Sequence, residues 1–233
     1  ARLELDPHFD GQYLESVDRL LKDVVKLRTD SAEAKLGQGL LMLQKFANDP
    51  SRAERKLEDA AKLDPDNPWI RALLAQVYVD VAKRKPELEK DRLAKAARSW
   101  GLAYRYERDV RLEAGWAYAV GLRLEKDASL LKGRERAEKL EEALRAYQRA
   151  TWICPTHTHA LTGLTSIALF QKAHRRAGQY LKKAVESNPD SIYVNVLNAY
   201  HLASVRGVIE QPNDATKALE DALLTPTLTL TLT

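Results

Sequence analysis

The sequence predicts an all-α protein built from stacked helix pairs. Turn residues are scarce, since the 233 residues include 10 glycines and 9 prolines, about 8 per cent of the chain against roughly 12 per cent in average proteins. Small and apolar residues recur three and four positions apart, which is the spacing of one helix face. Ala150 and Ala184 are 34 residues apart, and so are Pro155 and Pro189. A period of this length indicates a supersecondary unit copied along the chain.

The second helix of each predicted pair carries a small, a large and a small residue, followed by a closing proline. The steps are 4, 3 and 5 in three copies: Ala53, Leu57, Ala60 and Pro65; Ala143, Tyr147, Ala150 and Pro155; and Ala177, Leu181, Ala184 and Pro189. Two further copies keep the first two steps: Ala96, Trp100 and Ala103, and Ala215, Leu219 and Ala222. Small residues on one face let two helices approach closely, and the large residue fills the space beside them.

The first helix of each pair carries its own pattern of residues. It reads Leu36-Gly37 with Leu40, Leu74-Ala75 with Tyr78, Ala114-Gly115 with Tyr118 and, more weakly, Leu164-Thr165 with Ala168. A glycine in a helix interior costs about 1 kcal/mol relative to alanine. We therefore expect a close helix contact at Gly37 and at Gly115.

Together these patterns resemble the tetratricopeptide repeat (TPR) family. That family places Leu-Gly and Tyr on the first helix and Ala, an aromatic residue and Ala on the second, with a closing Pro. The resemblance covers about five repeats within residues 31–226. It implies a right-handed α-solenoid of antiparallel helix pairs, the TPR-like superhelix. The alternative is a helical bundle without repeats.

Four of the five repeats are longer than the family pattern between their two helices. The excess is 4, 9, 16, 0 and 4 residues from the first repeat to the fifth. One interpretation is enlarged turns that project from a single edge of the stack and form a binding face. The other is that the paired helices are one or two turns longer.

The two ends of the chain lie outside the repeat pattern. Residues 1–30 predict an N-terminal helix over 13–28, which would fit the end of a longer solenoid. Residues 227–233 alternate threonine with leucine, which is typical of a strand with one apolar face. Terminal repeats of a solenoid need a polar capping face, and none follows Pro226. We therefore expect a partner, a further domain or a second copy to cover the last repeat.

Composition narrows the classes of function. Lysine and arginine number 37 against 33 aspartate and glutamate, a net charge of +4 that does not predict nucleic-acid binding. No apolar run has the roughly 20 residues of a membrane span. The single cysteine excludes an intramolecular disulfide framework and leaves the cellular compartment open.

The sequence holds no motif that predicts catalysis, a metal or a cofactor. A Gly-rich phosphate loop, His-Glu-x-x-His and Gly-x-Ser-x-Gly are all missing, so we expect a protein that is not an enzyme. The nearest approach to a metal site is Cys154, His157 and His159. This group is one ligand short of a zinc site and has unsuitable spacing, so no metal is expected.

The TPR resemblance implies that a protein or peptide binds along the concave surface, which is formed mainly by the first helices. Candidate partner-binding residues flank the first-helix pattern: Gln76, Trp116, His159, Ser166, Tyr193 and Tyr200. Tyr193 and Tyr200 lie seven positions apart and so share a helix face, and aromatic residues with a polar tip are favoured at interfaces. Trp116, like Trp69, has a second interpretation as packing between neighbouring repeats.

One mode of binding in the family is not expected here. TPR domains that bind the acidic C-terminus of chaperones carry Lys, Asn and Arg on their first helices. The matching positions in this chain hold Ala34, Gln38, Trp69, Leu73, Asp109, Glu113, His159 and Gly163. We therefore expect a scaffold that binds a protein or peptide through apolar and aromatic contacts, in the groove or at the enlarged turns. The alternative is a structural subunit of a homo- or hetero-oligomer that contacts its neighbours through uncapped ends.

Overall fold

The computed structural model describes residues 19–20, 22–24 and 31–205. Residues 19–20 and 22–24 are helical. Within 31–205 the α-helices are α1 (Ala32–Lys45), α2 (Ser51–Leu63), α3 (Pro68–Arg84), α4 (Glu89–Tyr106), α5 (Val110–Ser129), α6 (Gly133–Ile153), α7 (Thr158–Phe170), α8 (His174–Ser187) and α9 (Ile192–Val205). A short 3-10 turn, Pro86–Leu88, precedes α4. These described ranges contain no strand.

The helices form the predicted right-handed α-solenoid. Each helix packs against the next one along the chain, and short connections make successive helices antiparallel. The first helices also contact one another in order, α3 with α5, α5 with α7, and α7 with α9. These helices line the concave inner surface, and the second helices form an outer layer.

The second-helix pattern is confirmed in all four described pairs. Every small residue of the pattern in α2, α4, α6 and α8 is completely buried. The large residues between them, Leu57, Trp100, Tyr147 and Leu181, are also buried. The fifth copy at 215–222 and the threonine and leucine tail at 227–233 lie outside the described residues, as does most of the predicted N-terminal helix.

The first-helix pattern is buried as predicted in α3, α5 and α7, but in α1 Leu36 and Gly37 are only partly buried and Leu40 is exposed. Gly115 has the predicted packing role, because a Cβ atom there would lie 2.7 Å from Nε1 of Trp100. In α1, Leu40 was expected on the buried face, yet 44% of its surface is exposed. The reason is that α1 approaches α2 through Gly39, where a Cβ would lie 2.6 Å from a methyl group of Leu57. Position 40 therefore faces away from that contact.

The additional residues of the second and third repeats lengthen the helices. Helices α3 and α4 have 17 and 18 residues, and α5 and α6 have 20 and 21, whereas the other described helices have 13 or 14. Their connections, 85–88 and 130–132, remain short. Of the two interpretations of the inserts, longer helices are therefore the one found in these two pairs.

Polar residues before each first helix fix where the helix begins. Asn67 accepts hydrogen bonds from the backbone N–H groups of Trp69 and Ile70 at 3.1 and 3.2 Å, and Pro68 follows as the first helical residue. Asp109 caps α5 in the same way through the N–H of Arg111. These caps orient α3 and α5, the helices that carry part of the concave surface.

Candidate functional site on the concave surface

A cavity of about 660 Å³ opens on the concave surface between α3, α5, α7 and α9, and residues of α4 and α6 complete its lining. Its lining residues are Lys83, Glu89, Leu93, Tyr118, Leu122, Glu125, Lys126, Ser129, Tyr147, His159, Thr162, Gly163, Ser166 and Tyr193. Most of them belong to the first helices α5 and α7. The cavity thus lies where the resemblance to TPR proteins places the binding surface.

Tyr147 forms the floor of the cavity and is completely buried. Its ring lies between two glycines, one on α5 and one on α7. A Cβ at Gly121 would come within 2.5 Å of the ring, and a Cβ at Gly163 within 2.7 Å. Only glycine leaves room for the ring at these two positions. The position of the Tyr147 ring therefore depends on residues of α5, α6 and α7.

The Tyr147 hydroxyl donates a hydrogen bond of 2.6 Å to Oε2 of Glu125. Protein atoms enclose the Glu125 carboxylate, although part of the side chain faces the cavity. Loss of hydration raises the pKa of Glu125 above its ordinary value, and the charge of Glu89 acts in the same direction. The hydrogen bond from Tyr147 lowers this pKa, but its influence is weaker than that of the lost hydration.

Glu89 and Lys126 form an ion pair on the same wall, with Nζ of Lys126 at 2.5 Å from Oε2 of Glu89. The pair joins the start of α4 to the end of α5. Lys126 is adjacent to Glu125 in the chain, but consecutive residues on a helix point in different directions. The cation of Lys126 is therefore held by Glu89.

Two histidines and Tyr118 form an aromatic group at one side of the cavity. The His159 ring stacks on Tyr118 with centroids 5.9 Å apart, and the His157 ring lies 5.1 Å from Tyr118. Burial lowers the pKa of His157, and its Nδ1 accepts a hydrogen bond of 3.2 Å from the N–H of Ala160. His157 therefore caps α7, while His159 lines the cavity and is exposed.

Tyr193 on α9 also lines the cavity. Its surface is 42% exposed, and the Ser166 hydroxyl lies within hydrogen-bonding reach of its phenol oxygen. Of the six candidate residues from the sequence, the cavity brings together His159, Ser166 and Tyr193.

The other three candidates lie outside the cavity lining. Gln76 donates a hydrogen bond of 3.0 Å to Asp80 within α3. Trp116 is half-buried and stacks on Tyr104 of α4 at 6.0 Å, which is the packing interpretation given above. Tyr200 is half-buried on α9.

Sequence reasoning missed Glu125, the acidic residue of the cavity that binds the Tyr147 hydroxyl. Glu125 falls within residues that the family pattern treats as an insertion between helices, so nothing assigned it to a face. A signal was nevertheless present, because Tyr118, Leu122, Glu125 and Ser129 follow steps of 4, 3 and 4. Such steps place all four on one face of a continuous helix.

The described ranges hold neither a clustered set of metal ligands nor a helix that could span a membrane. No group of three or more histidine, cysteine or acidic residues is arranged to hold a metal ion there. None of the helices in this part of the chain has both the length and the apolar character needed to cross a bilayer. Cys154 lies 3.7 Å from the hydroxyl of Thr156.

Replacing Glu125 by glutamine is expected to raise the melting temperature at pH 7. A carboxyl whose pKa is raised on folding contributes stability below its unfolded pKa, about 4.3, and loses that contribution as the pH rises through the folded pKa. The advantage of Glu125→Gln should therefore be greatest near neutral pH and disappear towards pH 4. Thermal unfolding of both proteins between pH 4 and pH 8 measures this difference.

The exposed Glu138 provides a matched control for this exchange. It lies on α6 and pairs with Arg134 across one helical turn, at a position where ion pairs contribute little. Glu138→Gln should leave the melting temperature nearly unchanged at neutral pH. A Glu125→Gln protein that melts below the wild type at pH 7 would contradict the assignment of Glu125 as a costly enclosed charge.

The stacked helix pairs and the groove along their first helices define an α-solenoid with the TPR fold. Solved TPR proteins share it. MamA superimposes with a TM-score of 0.53 at 18% identity, covering 76% of this chain and 90% of that chain. YrrB, a TPR protein with an unusual peptide-binding site, has a TM-score of 0.53 at 17% identity over 78% of this chain and 82% of its own.

PilW, a widely conserved type IV pilus biogenesis factor, superimposes with a TM-score of 0.57 at 16% identity, covering 91% of this chain and 86% of that chain. At such identities the similarity is one of fold. No protein-family model and no curated protein sequence matches the chain.

Proposed function

We propose that this protein is a non-catalytic scaffold that binds a peptide segment of a partner protein in its concave groove. The observation that carries the proposal is the cavity between α3, α5, α7 and α9, which opens on the inner surface. Its walls combine apolar Leu93 and Leu122 with the exposed rings of His159 and Tyr193. Apolar walls with a few convergent polar groups are typical of binding sites.

The similarity to YrrB supports the proposal, because that protein has the same fold and a peptide-binding site. Recognition here is expected to use aromatic and apolar contacts, since the positions of the chaperone-binding clamp hold other residues. The large exposed surface of Tyr193 makes it the first candidate for an anchoring contact.

The proposal is tested with a phage-displayed library of random dodecapeptides selected on the purified protein. The dissociation constant of a selected peptide is then measured with the wild type and with Tyr193→Ala. Loss of a central aromatic anchor should weaken binding by about tenfold or more. Tyr193→Ala combined with Tyr200→Ala shows whether the second tyrosine of α9 adds to the effect.

Trp152→Ala is the matched control for this experiment. Trp152 is 84% exposed, lies at the end of the second helix α6, and does not line the cavity. Its replacement removes an exposed aromatic residue without touching the groove, so peptide affinity should stay the same. Equal losses for Trp152→Ala and Tyr193→Ala, or a selection that yields no peptide, would overturn the proposal.

A second candidate function is a structural subunit that assembles with its own copies or with other proteins through the chain ends. The alternation of threonine and leucine over 227–233 favours it, because a strand of this pattern would have one apolar face to cover. Deleting 227–233 should then abolish assembly, measured by light scattering, while Tyr193→Ala leaves it intact. The opposite pattern of losses would assign the main contact to the groove.

A further inference from the structure

Glu125 lacks a cationic partner in the described part of the chain. Its carboxylate accepts the hydrogen bond from Tyr147, and no lysine, arginine or histidine nitrogen of the described residues lies within 4.0 Å of it. The neighbouring Lys126 is paired with Glu89. Lys83 also lines the cavity; loss of hydration lowers the pKa of its ammonium group, and the charge of Asp80 on the same helix acts against that shift.

An enclosed carboxylate without a counter-charge costs folding free energy. The loss of hydration is repaid only when a cation or several hydrogen bonds replace the water. Among the described residues Glu125 accepts one hydrogen bond, from Tyr147, and the nearby Glu89 is a like charge. Costly groups of this kind concentrate at binding sites, where the ligand supplies the missing interaction.

The surroundings of Glu125 suit a cation at the end of an apolar stem. Leu93 and Leu122 offer apolar surface to methylene groups, which lysine and arginine bury while their charged ends reach polar groups. The exposed rings of Tyr193 and His159 also line the cavity. Aromatic faces attract cations, and the attraction is larger where water is excluded.

We propose that this cavity receives a lysine or arginine side chain of the bound peptide, with its cation at the Glu125 carboxylate. The inference rests on the proposed function, because the side chain arrives as part of a peptide in the groove. Tyr147 positions the carboxylate through its hydrogen bond of 2.6 Å. Leu93 and Leu122 contact the methylene groups, and Tyr193 covers the side chain from α9.

An acidic side chain fits this cavity less well. Two carboxylates, Glu125 and Glu89, line the walls, and an incoming anion would face both. Of the two lysines in the lining, Lys126 is neutralised by Glu89 and Lys83 has Asp80 beside it. Glu125 is therefore the lining carboxylate that has no ion pair among the described residues, and the charge to be matched at that point of the cavity is negative.

The test repeats the selection of the phage-displayed dodecapeptides on the wild type, on Glu125→Gln and on Glu138→Gln. Glutamine keeps the shape and an acceptor for the Tyr147 hydroxyl but removes the charge. A melting temperature no lower than that of the wild type excludes misfolding as an explanation. Lysine or arginine should be enriched at one peptide position with the wild type and with Glu138→Gln. This enrichment should be lost with Glu125→Gln.

A selected peptide then provides a quantitative cycle. Replacing its lysine by norleucine, or its arginine by citrulline, should weaken binding to the wild type by about tenfold or more, as expected for a lost enclosed charge pair. The same replacement should change binding to Glu125→Gln by less than about twofold, because the two changes are coupled.

The outcomes separate this inference from the proposed function. Peptides that bind the groove without a basic position, or that lose equal affinity on both proteins, would overturn the inference and leave the groove scaffold standing. A selection without any groove-binding peptide would overturn the proposed function, and the inference with it.

Discussion

Replacing Tyr147 by alanine is expected to lower the free energy of unfolding by about 3 to 5 kcal/mol. The ring is completely buried and fills the space between Gly121 and Gly163. Gly121 and Gly163 have no side chains, so neither of these two positions can fill the vacated volume. Urea denaturation of the variant and the wild type, followed by circular dichroism, measures the loss.

Tyr147→Phe is the control that separates packing from hydrogen bonding. It keeps the ring between the glycines and removes the hydroxyl that binds Glu125. Its cost should be about 1 to 3 kcal/mol, because an enclosed acceptor loses its donor. Equal costs for the alanine and phenylalanine variants would show that the ring contributes little to the packing of α5, α6 and α7.

Replacing Arg92 by methionine is expected to cost about 3 kcal/mol of stability. Arg92 on α4 binds Glu54 on α2 through two contacts of 2.9 and 3.0 Å, and both side chains are largely buried. The pair connects the second helices of neighbouring repeats. Methionine leaves the Glu54 carboxylate enclosed without its cation, which is the costly state. Thermal and urea denaturation at pH 7 give the change.

Two further variants distinguish the loss of the Arg92 charge from the loss of its packing. Glu54→Leu combined with Arg92→Met removes both charges and should recover most of the lost stability. Arg134→Met breaks the exposed pair with Glu138 and should cost less than about 1 kcal/mol. A double variant as unstable as Arg92→Met alone would mean that Arg92 acts through its packing rather than its charge.

The repeated packing residues could be predicted from the sequence because they obey strict local geometry. Ala143, Tyr147 and Ala150 are buried for the same reason as their counterparts in α2, α4 and α8, since every repeat meets its neighbour in the same way. The exception, Leu40, arises because α1 approaches α2 through Gly39. The contact of α1 with α2 falls at Gly39, two positions after the pattern glycine Gly37. The spacing of the family pattern alone does not reveal this change of contact face.

The candidate site was predictable in part. His159, Ser166 and Tyr193 could be placed on the concave surface because they flank the repeated pattern on α7 and α9. Glu125 and Lys126 could not, because they lie on the added turns of α5, where the family offers no position to match. The cavity depends on that added length, which carries α5 beyond the usual end of a first helix and places Glu125 beside Tyr147.

The cavity is lined from several consecutive repeats, and this affects how the molecule would respond to a ligand. In a solenoid each repeat is stabilised mainly by its immediate neighbours, so local opening can begin in one part of the stack. A peptide that contacts α5, α7 and α9 together would couple repeats that otherwise stabilise only their immediate neighbours. Binding should then slow amide hydrogen exchange across all three helices at once, and the separate opening of the C-terminal repeats should merge into a single cooperative transition.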